Sequence, residues 1–205
     1  YFRTWTGGGF SGFRTISRST SPDFATWSEP VPMRFGESPP EHLYTSQTHP
    51  YFRAPHLYVA TPMRFVPGRR VLTEAQASQL GVAVNYAGDV AEAVFMTSRG
   101  GDHYDRLFLE GFIRPGPDLG NWASRAGLTA LGIVPTGPAE MSLYKQAHYA
   151  QPGCQLVRHV LRTDGFVSVH AGFSGGEMLT RPLRFAGRDL VVNFATGAAG
   201  GIRVE

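Results

Sequence analysis

Cysteine is almost absent from this sequence, which has a single example, Cys154, among 205 residues. One cysteine cannot form an intrachain disulfide, so a framework held together by disulfides is excluded. Cys154 follows a glycine and precedes strand-like residues, and this setting predicts a small, buried hydrophobic side chain.

Lysine is equally scarce: Lys145 is the one example, and arginine supplies nearly all of the positive charge. Arginine forms bidentate contacts with carboxylates and sugar hydroxyls, so the bias suits such partners, and it equally suits a GC-rich genome. The net charge of +3 is spread along the chain, with no run of basic residues interleaved with aromatic ones. We therefore expect no nucleic-acid partner.

Long apolar runs are missing as well, so no membrane span is expected. The chain starts with Tyr1-Phe2-Arg3, without a methionine or a secretory signal, and ends at Ile202-Arg203-Val204-Glu205 within an alternating pattern. These two ends predict a piece of a longer protein.

A short signature occurs twice, as Ser21-Pro22-Asp23-Phe24-Ala25-Thr26-Trp27 and as Pro117-Asp118-Leu119-Gly120-Asn121-Trp122. Aligning the two aspartates also superposes Phe13 on Phe108, so the repeat extends upstream into a strand-like segment. In each copy we expect the aspartate to close a turn by accepting backbone N–H groups, and the indole to cover the strand ends beneath it. The alternative is a coincidental pair of surface turns.

Short alternating segments separated by turn residues predict an all-β protein. The predicted strands are 1–6, 12–18, 31–35, 53–60, 91–98, 104–114, 140–146, 155–162 and 166–171. Thr163-Asp164-Gly165 is expected to form the hairpin turn between the last two. One short helix is predicted over Thr73 to Leu80, where the Thr-x-x-Gln spacing forms a capping box.

Sheets of three or four strands, each announced by an Asp/Trp turn, predict a β-propeller. We assign residues 1–171 to consecutive blades of an incomplete propeller, with an insertion at 62–91. Residues 172–205 are expected to be the first strands of a truncated β-sandwich. In a propeller the first strand of each blade lines the axis, so we expect Arg53, His49, His56 and Glu140 around a central pocket.

Four stretches of the chain carry a resemblance to a known family. They are the Ser-x-Asp-Phe-x-x-Trp turn, Phe52-Arg53-Ala54-Pro55-His56, Asp164-Gly165-Phe166-Val167-Ser168-Val169 and Gly187-Arg188-Asp189-Leu190-Val191-Val192-Asn193. They resemble the C-terminal blades and the following β-sandwich of the five-bladed glycoside hydrolases related to glycosidase families 32 and 43, which implies that residues 1–171 are the C-terminal blades of a partial five-bladed β-propeller. The resemblance implies a secreted or periplasmic enzyme that needs no cofactor and whose carboxylates cleave glycosidic bonds. The family's first blade is not present. Its Arg-Asp-Pro motif appears here as Arg53-Ala54-Pro55, and a likeness to sialidases also exists.

Glycoside cleavage needs two carboxyl groups, one as proton donor and one as nucleophile or base. The catalytic candidates are Glu140 and Glu110. Aligning Leu57-Tyr58 with Leu143-Tyr144 places Glu140 opposite Ala54, at the start of its strand, although a solvated position at the rim is an alternative. Glu110 is expected in mid-strand, where pairing with Arg106 or Arg114 is the alternative.

The substrate-binding candidates are Arg53, His49, His56, Tyr44 and Tyr144. The Arg53 guanidinium suits a carboxylate or sugar hydroxyls, and its alternative is packing against Glu41 or Glu92. The tyrosines suit stacking on sugar rings, and two histidines without a third ligand do not indicate a metal. The expected function is hydrolysis of a carbohydrate substrate. The alternatives are a non-catalytic propeller that binds glycan or protein, which Ala54 favours, and a sialidase-like enzyme.

Overall fold

A computed structural model describes residues 1–205, which divide into two units, Tyr1–Phe166 and Val167–Glu205. The first unit contains every strand. They are β1 (Phe2–Trp5), β2 (Arg14–Arg18), β3 (Val31–Pro32), β4 (His42–Leu43), β5 (His49–Tyr51), β6 (Ala54–Ala60), β7 (Met63–Val66), β8 (Val90–Ala93), β9 (Met96–Ser98), β10 (Val134–Gly137), β11 (Glu140–Ala147) and β12 (Gln155–Arg162). All pairings between these strands are antiparallel, so the all-β prediction is confirmed.

The strands form four three-stranded sheets in the orders β1-β2-β3, β4-β7-β8, β5-β6-β9 and β10-β11-β12. The first and the last are meanders, in which strands that are consecutive in the chain lie side by side. We call them the first meander (β1 to β3) and the third meander (β10 to β12). The strands of the two middle sheets are interleaved along the chain, and the register of their pairings explains this order.

The two middle sheets share one continuous register. Tyr58 pairs with Ser98 in one sheet and Met63 pairs with Ala93 in the other, at the same offset. Between them the Val94 amide donates to the Pro62 carbonyl at 2.9 Å, which keeps the ladder intact. Residues 54–66 and 90–98 are therefore one long antiparallel ribbon, in which β6 and β7 are separated at Pro62, where proline removes a ladder donor.

The preceding segment, residues 42–51, flanks the same ribbon along its other edge. His42 pairs with Phe65 and His49 pairs with Val59, so one extra residue lies between the two pairings. Gln47, with a φ of 46°, lies within this interruption, as expected for a bulge that kinks the strand. Residues 42–51, 54–66 and 90–98 together form the second meander.

The core lies between these meanders. One cluster joins the second meander to the third and includes Tyr51, Val59, Phe95, Met141 and Leu143. Another joins the first meander to the second and includes Ile16, Met33, Leu43, Met96 and Tyr104. The alternation of each strand sends every second side chain into these clusters, so the packing fixes which residues remain at the meander junctions.

The helix α1 (Glu74–Leu80) lies in the loop between β7 and β8, within the predicted insertion. The Thr73 hydroxyl accepts from the Gln76 amide and the Gln76 side chain accepts from the Thr73 amide, so the capping box is formed. Gly81 ends the helix with a φ of 70°, a left-handed conformation that glycine adopts without steric cost. The predicted helix is confirmed at both ends.

The two Asp/Trp turns are confirmed as turns closed by aspartate. Asp23 accepts from the amides of Ala25 and Thr26, and Asp118 accepts from the amide of Gly120. The two tryptophans have different surroundings. Trp27 is 52% exposed and lines a cavity with Phe2, Ser19 and Pro30, next to the ends of β1, β2 and β3, whereas Trp122 packs against the cluster around α1. The repeat is therefore a shared turn chemistry within two different surroundings.

Several local predictions were wrong. Residues 104–114 form no strand; isolated bridges of Thr97 with Asp105 and of Ala93 with Ile113 are their only ladder contacts. Residues 166–171 form no strand either, so the predicted hairpin lacks its second arm. The predicted sandwich segment, 172–205, has one bridge between Gly172 and Gly175 and no strand. Cys154 is exposed rather than buried, and its sulfur accepts from the Gln146 amide group at 3.1 Å.

Candidate functional site

The candidate site lies where the first meander meets the start of the second. A cavity of about 390 Å³ opens there, which we call the Trp5 cavity. Its walls combine aromatic rings, prolines, hydroxyl groups and one carboxylate. They include Trp5, Phe13, Phe35, Thr4, Thr15, Ser38, Pro39, Pro40 and Glu41. A mixed lining of rings, hydroxyls and a charged group is typical of small-molecule sites.

A group of arginines surrounds Tyr44 beside this cavity. The guanidinium carbons of Arg3, Arg125 and Arg14 lie 4.7, 5.5 and 5.7 Å from the centroid of its ring. Arg14 also lies 4.6 Å from the Trp5 ring, which lines the cavity. We call Arg3, Arg14, Arg125 and Tyr44 the Tyr44 cluster. Attraction between a guanidinium and the face of an aromatic ring holds such a group together.

The strand register explains how the cluster is assembled. Arg14 is the direct cross-strand partner of Trp5 in the β1-β2 pairing. Tyr44 follows β4 and its amide donates to the Met63 carbonyl at 2.8 Å, which holds it beside Phe65 of β7. Arg125 comes from the loop after the second Asp/Trp turn and reaches the Tyr86 hydroxyl at 3.2 Å. Three distant chain segments therefore converge on one ring.

A second group, buried and fully ionic, lies next to the cavity. Arg106, whose side chain is 0% exposed, donates to both oxygens of Glu41 at 3.2 and 3.3 Å. Arg64 bridges Glu41 and Glu92, donating to each. We call these four residues the Glu41 network. Two positive and two negative charges balance within it, which is what a buried ionic group requires.

Hydrogen bonds and opposite charges within the Glu41 network oppose the cost of burying its two arginines. Burial lowers the pKa of Arg106 against the opposing effect of Glu41. Burial also acts against the charge of Arg64, but its hydrogen bonds to Glu92 and Glu41 outweigh this effect and raise its pKa. The Leu109 carbonyl accepts from both arginines, at 3.0 and 3.3 Å. The network thus ties the second meander to the segment that follows it.

Arg53, predicted to bind substrate, lies in the turn before β6 and pairs with Asp164 at 2.7 Å. The Tyr51 hydroxyl donates to the same carboxylate at 2.6 Å. Burial, followed by the hydrogen bond to Asp164, raises the pKa of Tyr51 to about 12. Arg53 and Tyr51 therefore hold the predicted Thr163-Asp164-Gly165 turn against the second meander.

Glu140, the first catalytic candidate, begins β11 and pairs with Arg158, while the Thr136 hydroxyl donates to it at 2.7 Å. The next residue, Met141, is the one whose sulfur contacts the Tyr51 hydroxyl, at 3.6 Å. Because successive side chains of a strand face opposite sides, Glu140 faces away from the Tyr51 side. The structure does not bring Arg53 and Glu140 into one ionic group.

The remaining candidates are dispersed. Glu110 pairs with Arg114 at the surface, as the alternative prediction described. His49 accepts from the Ile133 amide at 3.1 Å and its other nitrogen contacts the Gln47 carbonyl at 3.0 Å, so it links the second meander to the residue before β10. His56 is exposed on β6, and Tyr144 is half-buried on β11. No three His, Cys, Asp or Glu side chains are grouped to hold a metal ion.

Of the predicted site residues, Tyr44 is the one that the structure places in the candidate site. Sequence reasoning missed Trp5, Arg14 and Arg125, and it considered Glu41 only as a partner of Arg53. The adjacency of Trp5 and Arg14 could have been read from the predicted pairing of segments 1–6 and 12–18. No local sequence feature indicates a role for Arg125, which lies in a loop far from the other residues of the cluster in the sequence.

Two half-buried imidazoles predict a pH dependence of stability. Burial, and then the charge of Arg14, lowers the pKa of His42; burial, and then Lys145, lowers that of His159. Protonation of either histidine is therefore less favourable in the fold than in the unfolded chain, whose imidazoles are protonated near pH 6.5. Their contribution is complete above that pH and is lost as the pH falls through their folded pKa values.

We expect the melting temperature to fall by a few degrees between pH 7.5 and 5, since one kcal/mol moves it by about 2–4 °C in a chain of this size. His42→Asn keeps an acceptor for the Arg14 amide, which His42 now binds at 3.1 Å, and removes one titrating group. Differential scanning calorimetry should therefore show a shallower pH slope for His42→Asn. An equal slope in both proteins would contradict the assignment to His42.

No protein-family model, no curated protein and no solved structure matches this chain. No helix in residues 1–205 has the length and the apolar character needed to cross a membrane. The fold and the candidate site thus define the chain as an all-β protein of small antiparallel sheets with a ring-lined cavity at one junction.

Proposed function

We propose that this chain is a carbohydrate-binding β domain whose ligand occupies the Trp5 cavity. The observation that carries the proposal is the composition of the cavity wall, where aromatic rings, threonine and serine hydroxyls and one carboxylate line a space of about 390 Å³. A sugar presents apolar C–H faces to rings and hydroxyls to polar groups, so such a wall complements it.

The positions of the two predicted catalytic carboxylates favour carbohydrate binding over hydrolysis. Each predicted catalytic carboxylate has its own arginine partner: Glu140 pairs with Arg158 and Glu110 with Arg114. Glycoside cleavage requires one carboxyl that carries a proton and one that does not, on the two sides of one bond. Neither Glu140 nor Glu110 lines the Trp5 cavity, so the two carboxyl groups do not face a sugar bound there.

Hydrolysis of a glycosidic bond is the second candidate. Glu41 favours it, because this residue lines the cavity and shares the Arg64 guanidinium with a second carboxylate, Glu92. Release of reducing ends from an oligosaccharide, abolished in Glu140→Gln or in Glu41→Gln while circular dichroism shows that the variant is still folded, would identify which carboxylate takes part. Turnover by a folded wild-type protein would replace the binding proposal with this one.

The partial propeller belongs to the same proposal. What supports it is the succession of three antiparallel meanders, the second and third of which are separated by the strandless stretch 99–133. The irregular segment 104–114 bridges the free edge of the second meander at Ala93 and Thr97, where a fourth blade strand would lie. Blades of a propeller are meanders of four strands, so the second meander is the best candidate blade.

Replacing Trp5 with alanine tests the proposed function. We expect saccharide affinity to fall at least about tenfold, because removing a tryptophan from a binding site commonly costs more than about 1.4 kcal/mol. Cellohexaose, xylohexaose and an oligogalacturonate would be titrated by isothermal calorimetry. Trp27→Ala is the matched control, since Trp27 lines a separate cavity beside Tyr1 and Pro30.

Because Arg14 stacks on Trp5, a second variant is needed that leaves this contact in place. Thr15→Val removes one hydroxyl from the cavity wall, and the hydroxyl of Thr15 has no partner within the protein. It should weaken binding without lowering the melting temperature. Equal affinity in the wild type, Trp5→Ala and Thr15→Val would overturn the proposal.

A further inference from the structure

The three arginines of the Tyr44 cluster lack acidic partners. Seven other arginines of the first unit form ion pairs with carboxylates, but Arg3, Arg14 and Arg125 form none. The cluster instead places three positive charges around one aromatic ring. Like charges at this spacing repel each other, and the repulsion favours the arrival of an anion.

The surroundings of Arg14 show the excess of positive charge most clearly. Its Nε atom is buried and has no hydrogen-bond partner. Burial lowers the pKa of Arg14, the charges of Arg3 and Arg125 lower it further, and Tyr44 and Asp89 act in the opposite direction. The Asp89 carboxylate is itself engaged by the Gly68 amide at 2.8 Å. No carboxylate of the chain therefore neutralises the cluster by direct contact.

Arg125 is held in place at a conformational cost. Its φ of 65° lies in the left-handed region, which residues other than glycine adopt rarely. Its guanidinium is oriented by the hydroxyls of Tyr86 and Tyr149, at 3.2 and 3.5 Å. Strained residues that the surroundings hold firmly are common at ligand sites. The hydroxyl of Tyr44 has no partner and adds a further donor to the cluster.

We propose that the Tyr44 cluster binds an oxyanion group, and that the saccharide of the Trp5 cavity is an acidic one carrying a carboxylate or sulfate. The second part rests on the proposed function, whereas the anion site stands without it. Guanidinium groups form charge-assisted hydrogen bonds with such oxyanions, and Arg14 connects the two sites through its contact with Trp5. The ligand would thus place its sugar rings in the cavity and its charge on the arginines.

The test compares trigalacturonate, cellotriose and sodium sulfate by isothermal titration calorimetry at constant ionic strength. We expect trigalacturonate to bind at least about tenfold more tightly than cellotriose, the effect of one charged hydrogen bond. Arg3→Met and Arg125→Met should each remove about tenfold of that affinity. Arg69→Met is the control, because it removes the same charge from an exposed loop residue.

The outcomes separate the two proposals. Sulfate that binds with the same dependence on Arg3 and Arg125 supports the anion site and identifies its ligand as a free oxyanion. Cellotriose binding as tightly as trigalacturonate in all variants, together with no sulfate binding that depends on Arg3 and Arg125, leaves the proposed function standing and overturns the anion site. Anion binding that persists in Trp5→Ala, with no saccharide bound, supports the anion site while the proposed function fails. Absence of binding by trigalacturonate and by sulfate overturns the inference outright.

Discussion

Replacing Glu41 with glutamine is expected to destabilise the protein by about 3–5 kcal/mol, the usual loss when one partner of a buried ion pair is removed. Glutamine keeps the shape and one acceptor, but it leaves Arg106 charged in a position where its side chain is 0% exposed. Arg64 would retain Glu92, so the uncompensated charge falls on Arg106. Urea denaturation followed by circular dichroism measures the difference.

The control for this substitution is Glu110→Gln, which breaks an exposed pair with Arg114. Exposed ion pairs contribute about 0–1 kcal/mol, so the control should differ little from the wild type. A loss below about 1 kcal/mol for Glu41→Gln would mean that the Glu41 network is solvated. In that case it would no longer explain how the segment after β9 is held to the second meander.

The second large effect is expected for Leu143→Ala, with a loss of about 2–5 kcal/mol. Leu143 is 1% exposed and belongs to the cluster between the second and third meanders, together with Tyr51 and Phe95. Removing its side chain loses hydrophobic transfer free energy and opens a cavity between two packed sheets. The midpoint of urea denaturation should fall while its slope stays the same.

Leu156→Ala is the matched control, the same substitution in the same sheet. Leu156 is 65% exposed on β12 and pairs with Gln146. We expect a change within about 0.5 kcal/mol for this surface position. Similar losses in the two variants would show that the third meander does not pack on the second through β11, in conflict with the core described above.

Local features of the sequence were sufficient for much of the fold. The capping box at Thr73 and the glycine at position 81 act within a few residues, and α1 begins and ends where they predict. Alternation over uninterrupted stretches likewise predicts β6, β11 and β12. In these elements the local preference and the tertiary packing agree.

The segment 104–114 shows why alternation can fail. Its pattern predicts a strand, but Arg106 turns inward to Glu41, from which it is separated by 65 positions in the chain. The same guanidinium donates to the Leu109 carbonyl at 3.3 Å, a local contact that bends the backbone away from a ladder. The partner that decides this conformation lies far away in the sequence, so a local pattern could not identify it.

Most of the candidate site could not be predicted from the sequence, for a similar reason. Tyr44 was recognised from its residue type, but its role depends on arginines from β1, β2 and a distant loop. The prediction that Arg53 and Glu140 lie at strand starts was correct. Arg53 immediately precedes β6, and Glu140 is the first residue of β11. Which face each side chain occupies depends on register, and register places them in separate ion pairs.

The most direct test of the central claim, that saccharide occupies the Trp5 cavity, is an NMR titration of the three tryptophan indole N–H groups in this chain. Oligogalacturonate should shift the Trp5 signal in a saturable manner and leave Trp122 unchanged, because only the former lines the cavity. The signal of Trp27, which lines a different cavity, should also stay unchanged. A saturable shift confined to Trp27, or three unchanged signals with every saccharide of the panel, would contradict the account.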